Sequence, residues 1–180
     1  MENRILRMLN TTSPHTAPAL IHIFNCERIP GRHQRVLVLE RGEPGKIGIK
    51  AGSAKDQQRR FEGCQLLQCV NALHLWGYVH CDIKPEHFLR FQGREWRLID
   101  YESVECHNSE VMPKFTEAYV SPEVARAKLQ NTPLKITCAA DVWAMGLVMF
   151  ELFSGEPLFS GEQELTLQKV AENPEAGMEE

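Results

Sequence analysis

The sequence predicts an α+β fold, and three observations carry that expectation. From Lys55 to Trp76, the residues Phe61, Leu66, Leu67, Val70 and Leu73 recur at helical spacing, and Gly77 supplies a stop. From Tyr78 to Glu102 the pattern changes to short apolar runs separated by polar loops. Val142 to Phe153 is then almost wholly apolar, interrupted only by Glu151. It is too short to span a bilayer and reads as a buried helix.

The remaining elements follow in order. Glu2 to Leu9 carries apolar residues at 5, 6, 8 and 9, which suits a short buried helix ended by Ser13-Pro14-His15. Leu20–Phe24 and Val36–Glu40 read as two strands joined through Ile29-Pro30-Gly31. Gly42-Glu43-Pro44-Gly45-Lys46-Ile47-Gly48 superficially suggests a phosphate loop. Its glycine spacing is not G-x-G-x-x-G, and Lys46 is followed by Ile47 where a Walker-type loop needs Ser or Thr. A flexible connector is the better reading. His74 is expected to be a packing residue and Cys106-His107 a loop. Lys128 to Thr137 is a polar connector, and Asp141 to Phe153 a central helix with Trp143, Leu147 and Phe150 in the core. Ser154-Gly155 and Pro157 end it. Gln163 to Val170 starts one more helix before an acidic tail.

Composition narrows the function classes. The 180 residues suffice for about one domain with a sizeable core. An apolar content of 43% with mixed charge excludes a disordered class. A net charge of −4 gives no electrostatic case for nucleic acid or for an anionic membrane surface. No signal-peptide pattern opens the chain. The six cysteines form no C-x-x-C pair and no zinc spacing, so free thiols in a reducing cytosol or nucleus are expected.

The stretch Tyr78–Glu102 holds the chemistry. Phe88–Phe91 and Trp96–Leu98 flank the turn Gln92-Gly93, and such a hairpin brings its two ends together. Asp82 and Asp100, 18 residues apart, would then face one cleft with Lys84. One carboxylate can accept a proton from a nucleophilic hydroxyl. A second can hold a hard divalent cation. A lysine can neutralise a phosphoryl group in transfer, a reaction that needs mainly positioning and charge stabilisation. An isolated D-x-K is more simply a solvated turn; the downstream sequence changes that balance.

His80-Cys81-Asp82-Ile83-Lys84-Pro85-Glu86-His87 resembles the catalytic loop of the eukaryotic protein kinases, H-R-D-L-x-x-x-N. Leu98-Ile99-Asp100-Tyr101-Glu102 resembles their D-F-G strand, Ser121-Pro122-Glu123 their A-P-E segment, and Asp141-Val142-Trp143-Ala144-Met145-Gly146 their D-x-W-x-x-G helix. Four matches in family order are more specific than any one. Lys84, two residues after Asp82, is similar to the Ser/Thr class rather than the Tyr class.

The resemblance implies a kinase-like fold with a partial N-lobe and hinge over residues 1–41, made of the C-helix and two strands. A connector over 42–56, an incomplete α-rich C-lobe over 57–160, and a partial helix and tail over 161–180 would follow. It implies ATP and magnesium as cofactors and a protein substrate or partner. Asp82 would be the proton acceptor, Lys84 the phosphate contact and Asp100 the metal ligand. Leu39 would gate the nucleotide pocket, Glu40 would begin the hinge that holds the adenine, and Glu2 matches the C-helix glutamate. Asp141 would anchor the catalytic-loop backbone, and Thr116 would touch Asp82 and Lys84. The departures are specific. No glycine loop or strand lysine precedes Glu2 in these residues. The metal-binding asparagine is His87, a poorer ligand for magnesium. Cys81 replaces the arginine that pairs with activation-loop phosphate, and Glu102 replaces a glycine. A kinase-derived binding or scaffold module without catalysis, and a fragment of a longer kinase, are the alternative expectations.

Overall fold

The structure, a computed structural model, describes residues 1–29, 32–45, 53–92, 95–112, 116–159 and 163–172. Pro30-Gly31, Lys46 to Gly48, Gly93 and the acidic tail lie outside the described residues. Helices are mixed with small antiparallel sheets, as in the α+β class expected.

Helix α1 (Glu2–Thr12) buries Ile5, Leu6 and Leu9. It ends where the Ser13 N–H donates to Leu9 O, just before Pro14. The Asn10 amide fastens this helix to the next element. Its Nδ2 donates to Pro18 O at 3.0 Å, and its Oδ1 accepts from Leu20 N at 2.8 Å. Strands β1 (Leu20–Ile29) and β2 (Arg32–Leu39) pair antiparallel, with Leu20 opposite Leu39 and Ile23 opposite Leu37. Both strands run longer than the sequence expectation. The pairing carries on through polar residues such as Arg35, opposite Asn25, which supply no apolar alternation to read.

The expected connector begins with a short strand. Glu43–Pro44 (β3) pair with β5 (Phe88–Phe91), and β5 pairs with β6 (Glu95–Leu98). Gly45 lies so close to the Trp96 indole that a Cβ there would fall 2.1 Å from its Cη2. That glycine serves a close approach to an aromatic ring.

Helix α2 (Ser53–His74) carries the main core stripe: Leu66, Cys69, Val70 and Leu73 are buried. Phe61 and Leu67, expected on that face, are instead 57% and 49% exposed. Cys69 and Ala72 complete the inward stripe in their place, because small side chains suit the close approach of β6 and the helix. The cluster joins α1, α2 and the β5–β6 hairpin through Ile83, Phe88, Trp96, Leu98 and Tyr101. Arg97, in β6, is buried and bonds Glu40 Oε2 at 2.6 Å and Glu95 Oε2 at 3.2 Å.

Beyond the hairpin, β4 (Tyr78–Val79) pairs with β7 (Glu105–Cys106), and β8 (Glu110–Val111) pairs with β9 (Leu134–Lys135). The stretch read as a polar connector therefore contains a strand and the end of α3 (Pro122–Leu129). Helix α4 (Cys138–Ser154) runs through the middle of the fold. It gives Ala144, Met145 and Val148 to the first cluster, and Ala140 and Leu147 to a second with Val124, Ile136 and Val170. Its Phe150 is 43% exposed rather than core, and Trp143 is half-buried. Gly155, at φ 89°, closes the helix by donating to Glu151 O, a left-handed cap that suits glycine. Helix α5 (Gln163–Glu172) packs Leu167, Val170 and Ala171 against α3, and Arg126 Nη1 donates to Ala171 O.

The corrected face of α2 is testable by unfolding. Leu73→Ala should cost about 2–5 kcal/mol, the usual penalty for an aliphatic core truncation. Phe61→Ala should change stability by about 0.5 kcal/mol or less, as at an exposed position. Chemical denaturation of the two variants decides between the faces; equal losses would restore the original one.

Candidate active site

The β5–β6 hairpin sets the cleft. Phe88 pairs with Leu98, and Ile99 N–H donates to His87 O at 2.8 Å, so the loop before β5 and the loop after β6 converge. A short turn at Pro85–His87 carries His87 inward, where it is almost fully buried.

Asp141 pins the first loop from below. Its side chain is buried at the start of α4. Oδ2 accepts from His80 N at 2.7 Å and Oδ1 from Cys81 N at 3.0 Å. His74 Nε2 donates to Oδ2 at 2.8 Å, so the expected packing residue is a polar partner of the anchor. Of the pair expected in a loop, Cys106 lies in β7 and His107 in the turn after it, where His107 Nδ1 accepts from Cys138 N–H and caps the start of α4. Neither histidine contact is visible in sequence, because both partners lie more than 30 positions away. His80 is fully buried; burial pushes its imidazole down, against the raising effect of Asp141, and keeps it neutral. Cys81 and Asp100 both take left-handed backbone, φ 68° and 62°, which side chains other than glycine adopt only where surrounding contacts enforce it.

Asp82 and Lys84 meet as expected. Lys84 Nζ donates to Asp82 Oδ2 at 3.0 Å and to Thr116 Oγ1 at 3.0 Å, while Thr116 Oγ1 donates to Asp82 Oδ1 at 2.7 Å. Burial alone would raise the Asp82 carboxyl, but the Thr116 hydroxyl, Lys84 and then His87 together hold it below the ordinary 3.8. Asp82 is thus an oriented, ionised carboxylate, the form needed to accept a proton. Asp100 lies across from it, 45% exposed, with one oxygen 3.3 Å from His87 Nε2. Glu2 completes an acidic edge. Burial raises its carboxyl, and the neighbouring Glu102 and Asp100 raise it further.

Leu39 packs against the first core cluster. Glu40 is tied by its side chain to Arg97 and Gln92 and by its N–H to Ala19 O at 2.8 Å, so the side chain is structural. Cys81, in the place of an arginine, faces a cavity with Thr116, Ser121 and Ile136. Burial, Asp141 and Glu105 push its thiol up to about 12, so it is neither a charge nor a nucleophile.

As a donor set, the cleft offers the exposed carboxylate of Asp100, which suits a hard cation, and the imidazole of His87, which suits it less well. Among the described residues no helix is long and apolar enough to cross a membrane.

Two variants test this geometry. Asp141→Ala leaves two buried N–H groups without an acceptor and should lower stability by about 3 kcal/mol or more in a denaturant titration; a loss near zero would mean the loop holds itself. Thr116→Val should raise the Asp82 pKa, read by carboxyl NMR titration. The depressed folded value gives stability that is present above the unfolded pKa and is lost as pH falls through the folded one. The variant should therefore be less stable than the parent near neutral pH, and the difference should shrink in acid.

Comparison with known proteins gives the same direction. A model of the family described as "Protein kinase domain" matches residues 1–178. Serine/threonine-protein kinase PDK1 of Cryptococcus neoformans is 28% identical over 93% of this chain and 14% of its own length. Serine/threonine-protein kinase PKH2 of Saccharomyces cerevisiae is 31% identical over 67% of this chain and 12% of its own. Dual specificity tyrosine-phosphorylation-regulated kinase 3 of Homo sapiens is 34% identical over 55% of this chain and 16% of its own. The chain thus spans roughly one seventh of the length of the curated relatives it matches.

Proposed function

Because the chain belongs to the protein kinase domain family, we propose that it transfers a phosphoryl group from ATP to serine or threonine of a protein substrate. The observation that carries this reading is the closed set Asp82, Lys84 and Thr116. One carboxylate is fixed on both oxygens by a hydroxyl and an ammonium, each within 3.0 Å. In the proposed reaction Asp82 orients the substrate hydroxyl and accepts its proton, which general base catalysis needs from an ionised group in place. Lys84 offsets charge on the transferred phosphoryl group. Asp100 is the ligand for magnesium, which when bound supplies positive charge beside the phosphate oxygens. Leu39 lines the back of the nucleotide pocket, and the backbone at Glu40 starts the hinge. Glu2 faces the same cleft from α1. The spacing of Lys84 after Asp82 and the Ser/Thr-kinase names of two relatives support the substrate class. Cytoplasm or nucleus is the proposed compartment, in keeping with free thiols at Cys64, Cys69, Cys81, Cys106 and Cys138.

A second reading, a binding module that keeps the fold without the chemistry, has one observation in its favour. Glu2 sits among acidic neighbours, Asp100 and Glu102, where phosphates would have to approach. One experiment separates the two. The folded chain is melted with ATP, with and without magnesium, and then assayed for transfer to a Ser/Thr peptide library. Ligand at about 100 times its dissociation constant adds roughly 2.7 kcal/mol. The enzyme reading expects a magnesium-dependent rise in Tm that is lost in Asp100→Ala. It also expects phosphopeptide whose rate of formation drops by about 10²–10⁴ in Asp82→Asn. A cooperative melt with no shift and no transfer would leave the binding module.

A further inference from the structure

We propose that the cavity beneath the Cys81–Ile83 loop is a binding site for a guanidinium group, with Glu105 and Ser121 as its ligands. The inference stands apart from phosphoryl transfer.

The cavity, of about 40 Å³, lies between that loop, β8, β9 and the starts of α3 and α4. One water needs roughly 10–15 Å³, so the space takes a flat group of about three or four heavy atoms. Val120, Ile136 and Ala140 give it apolar walls. Its charge is one-sided. Asp82, Glu105 and Asp141 line it, and among the described residues no lysine or arginine does. Their field reaches the Cys81 thiol, which burial first, then Asp141 and Glu105, push up. Lys84, bonded to Asp82, offsets one of these charges. The N-terminal ends of α3 and α4 offset about one more. The balance stays negative.

The three carboxylates differ in what they have left to give. Asp141 is taken up by His74 and two backbone N–H groups, and Asp82 by Lys84 and Thr116. Glu105 pairs through its backbone with Val79, and its side chain has no hydrogen bond or salt bridge among the described residues. Ser121 is the independent observation. It is only 2% exposed and lines the same cavity, and its Oγ is buried without a hydrogen-bond partner. It stands at the N-cap of α3 yet makes no side-chain capping bond. An orphan hydroxyl is costly, and a bound N–H donor satisfies it. Water would serve Ser121 but leave the charge of Glu105 unpaired.

The donor geometry selects the cation. A guanidinium is planar, carries N–H donors in a fixed fork, and can meet a carboxylate with two of them and a hydroxyl with a third. It is more weakly hydrated than an ammonium, so it loses less against apolar walls. A hard metal ion would need more oxygen ligands. Among the described residues no three His, Cys, Asp or Glu side chains are grouped to hold one. Cys81 leaves the room, because its side chain is short and its thiol turns back to Val79 O at 3.5 Å.

The test follows the backbone amides of the folded chain by ¹H–¹⁵N NMR as methylguanidinium is added. Urea, a neutral molecule of similar shape, and sodium chloride are the controls. The expected result is a saturable shift at Cys81, Glu105 and Ser121 with methylguanidinium and none with either control. Glu105→Gln should weaken the binding at least tenfold. Ser121→Ala should weaken it too, yet melt no lower than the parent, because an orphan hydroxyl has been removed. Cys81→Met keeps the backbone N–H and fills the cavity, so it should abolish the response; if that variant does not fold, Glu105→Gln decides. N-acetylarginine methylamide identifies the source. A matching shift assigns the site to an arginine side chain of a protein partner, and a shift with methylguanidinium alone assigns it to a free small cation. Equal responses to methylguanidinium and urea, binding unchanged in Glu105→Gln, or no response in the parent would each overturn the inference.

Discussion

One buried carboxylate holds the cleft to the core. Asp141 sits at the start of a mostly apolar helix, out of water, where an unpaired charge would be expensive. It is tolerated because two backbone N–H groups and one imidazole converge on its two oxygens. The dependence runs both ways. The loop at His80 and Cys81 cannot leave without stranding the charge, and the helix cannot shift without stranding two amides. Because α4 contributes to both apolar clusters, this polar contact transmits the rigidity of the whole core to Asp82, one residue beyond.

The cleft divides its carboxylates into two kinds. Asp82 has a hydroxyl donor, Thr116, and a counter-charge, Lys84, built in and is held ionised. Asp100, Glu102 and Glu2 crowd one another, and the burial of Glu2 sharpens the conflict. A proton acceptor wants the first environment. A site for a cation wants the second. The two occur side by side because the hairpin brings together loops from its two ends.

Much of this was legible in the sequence. The hairpin and the α2 and α4 helices follow from turn signals and apolar patterning, whereas the contacts of Thr116 with Asp82 and Lys84 and the anchoring role of Asp141 are what the resemblance to the protein kinases implies. What was not legible depends on long-range geometry. His74 and His107 carry no local signal, since each acts on a residue supplied by another element. Phe61 and Leu67 fit a helical period but lie just off the face that Cys69 and Ala72 turn inward, and periodicity alone weights large side chains over small ones. The strand at Leu134–Lys135 is two residues long and exists only because Glu110–Val111 pass beside it.

Cys81 has a consequence for how such a domain would be governed. A guanidinium at that position would give the segment between Asp100 and Glu123 a socket for an added phosphate; a half-buried, neutral thiol gives none. The described parts of the segment are instead fastened by contacts within the chain. Glu105 and Cys106 pair with β4, Thr116 bonds Asp82, and the Tyr119 hydroxyl donates to Glu151 at 2.7 Å. Among the described residues, these contacts hold the segment against the catalytic loop and α4 without an added phosphate.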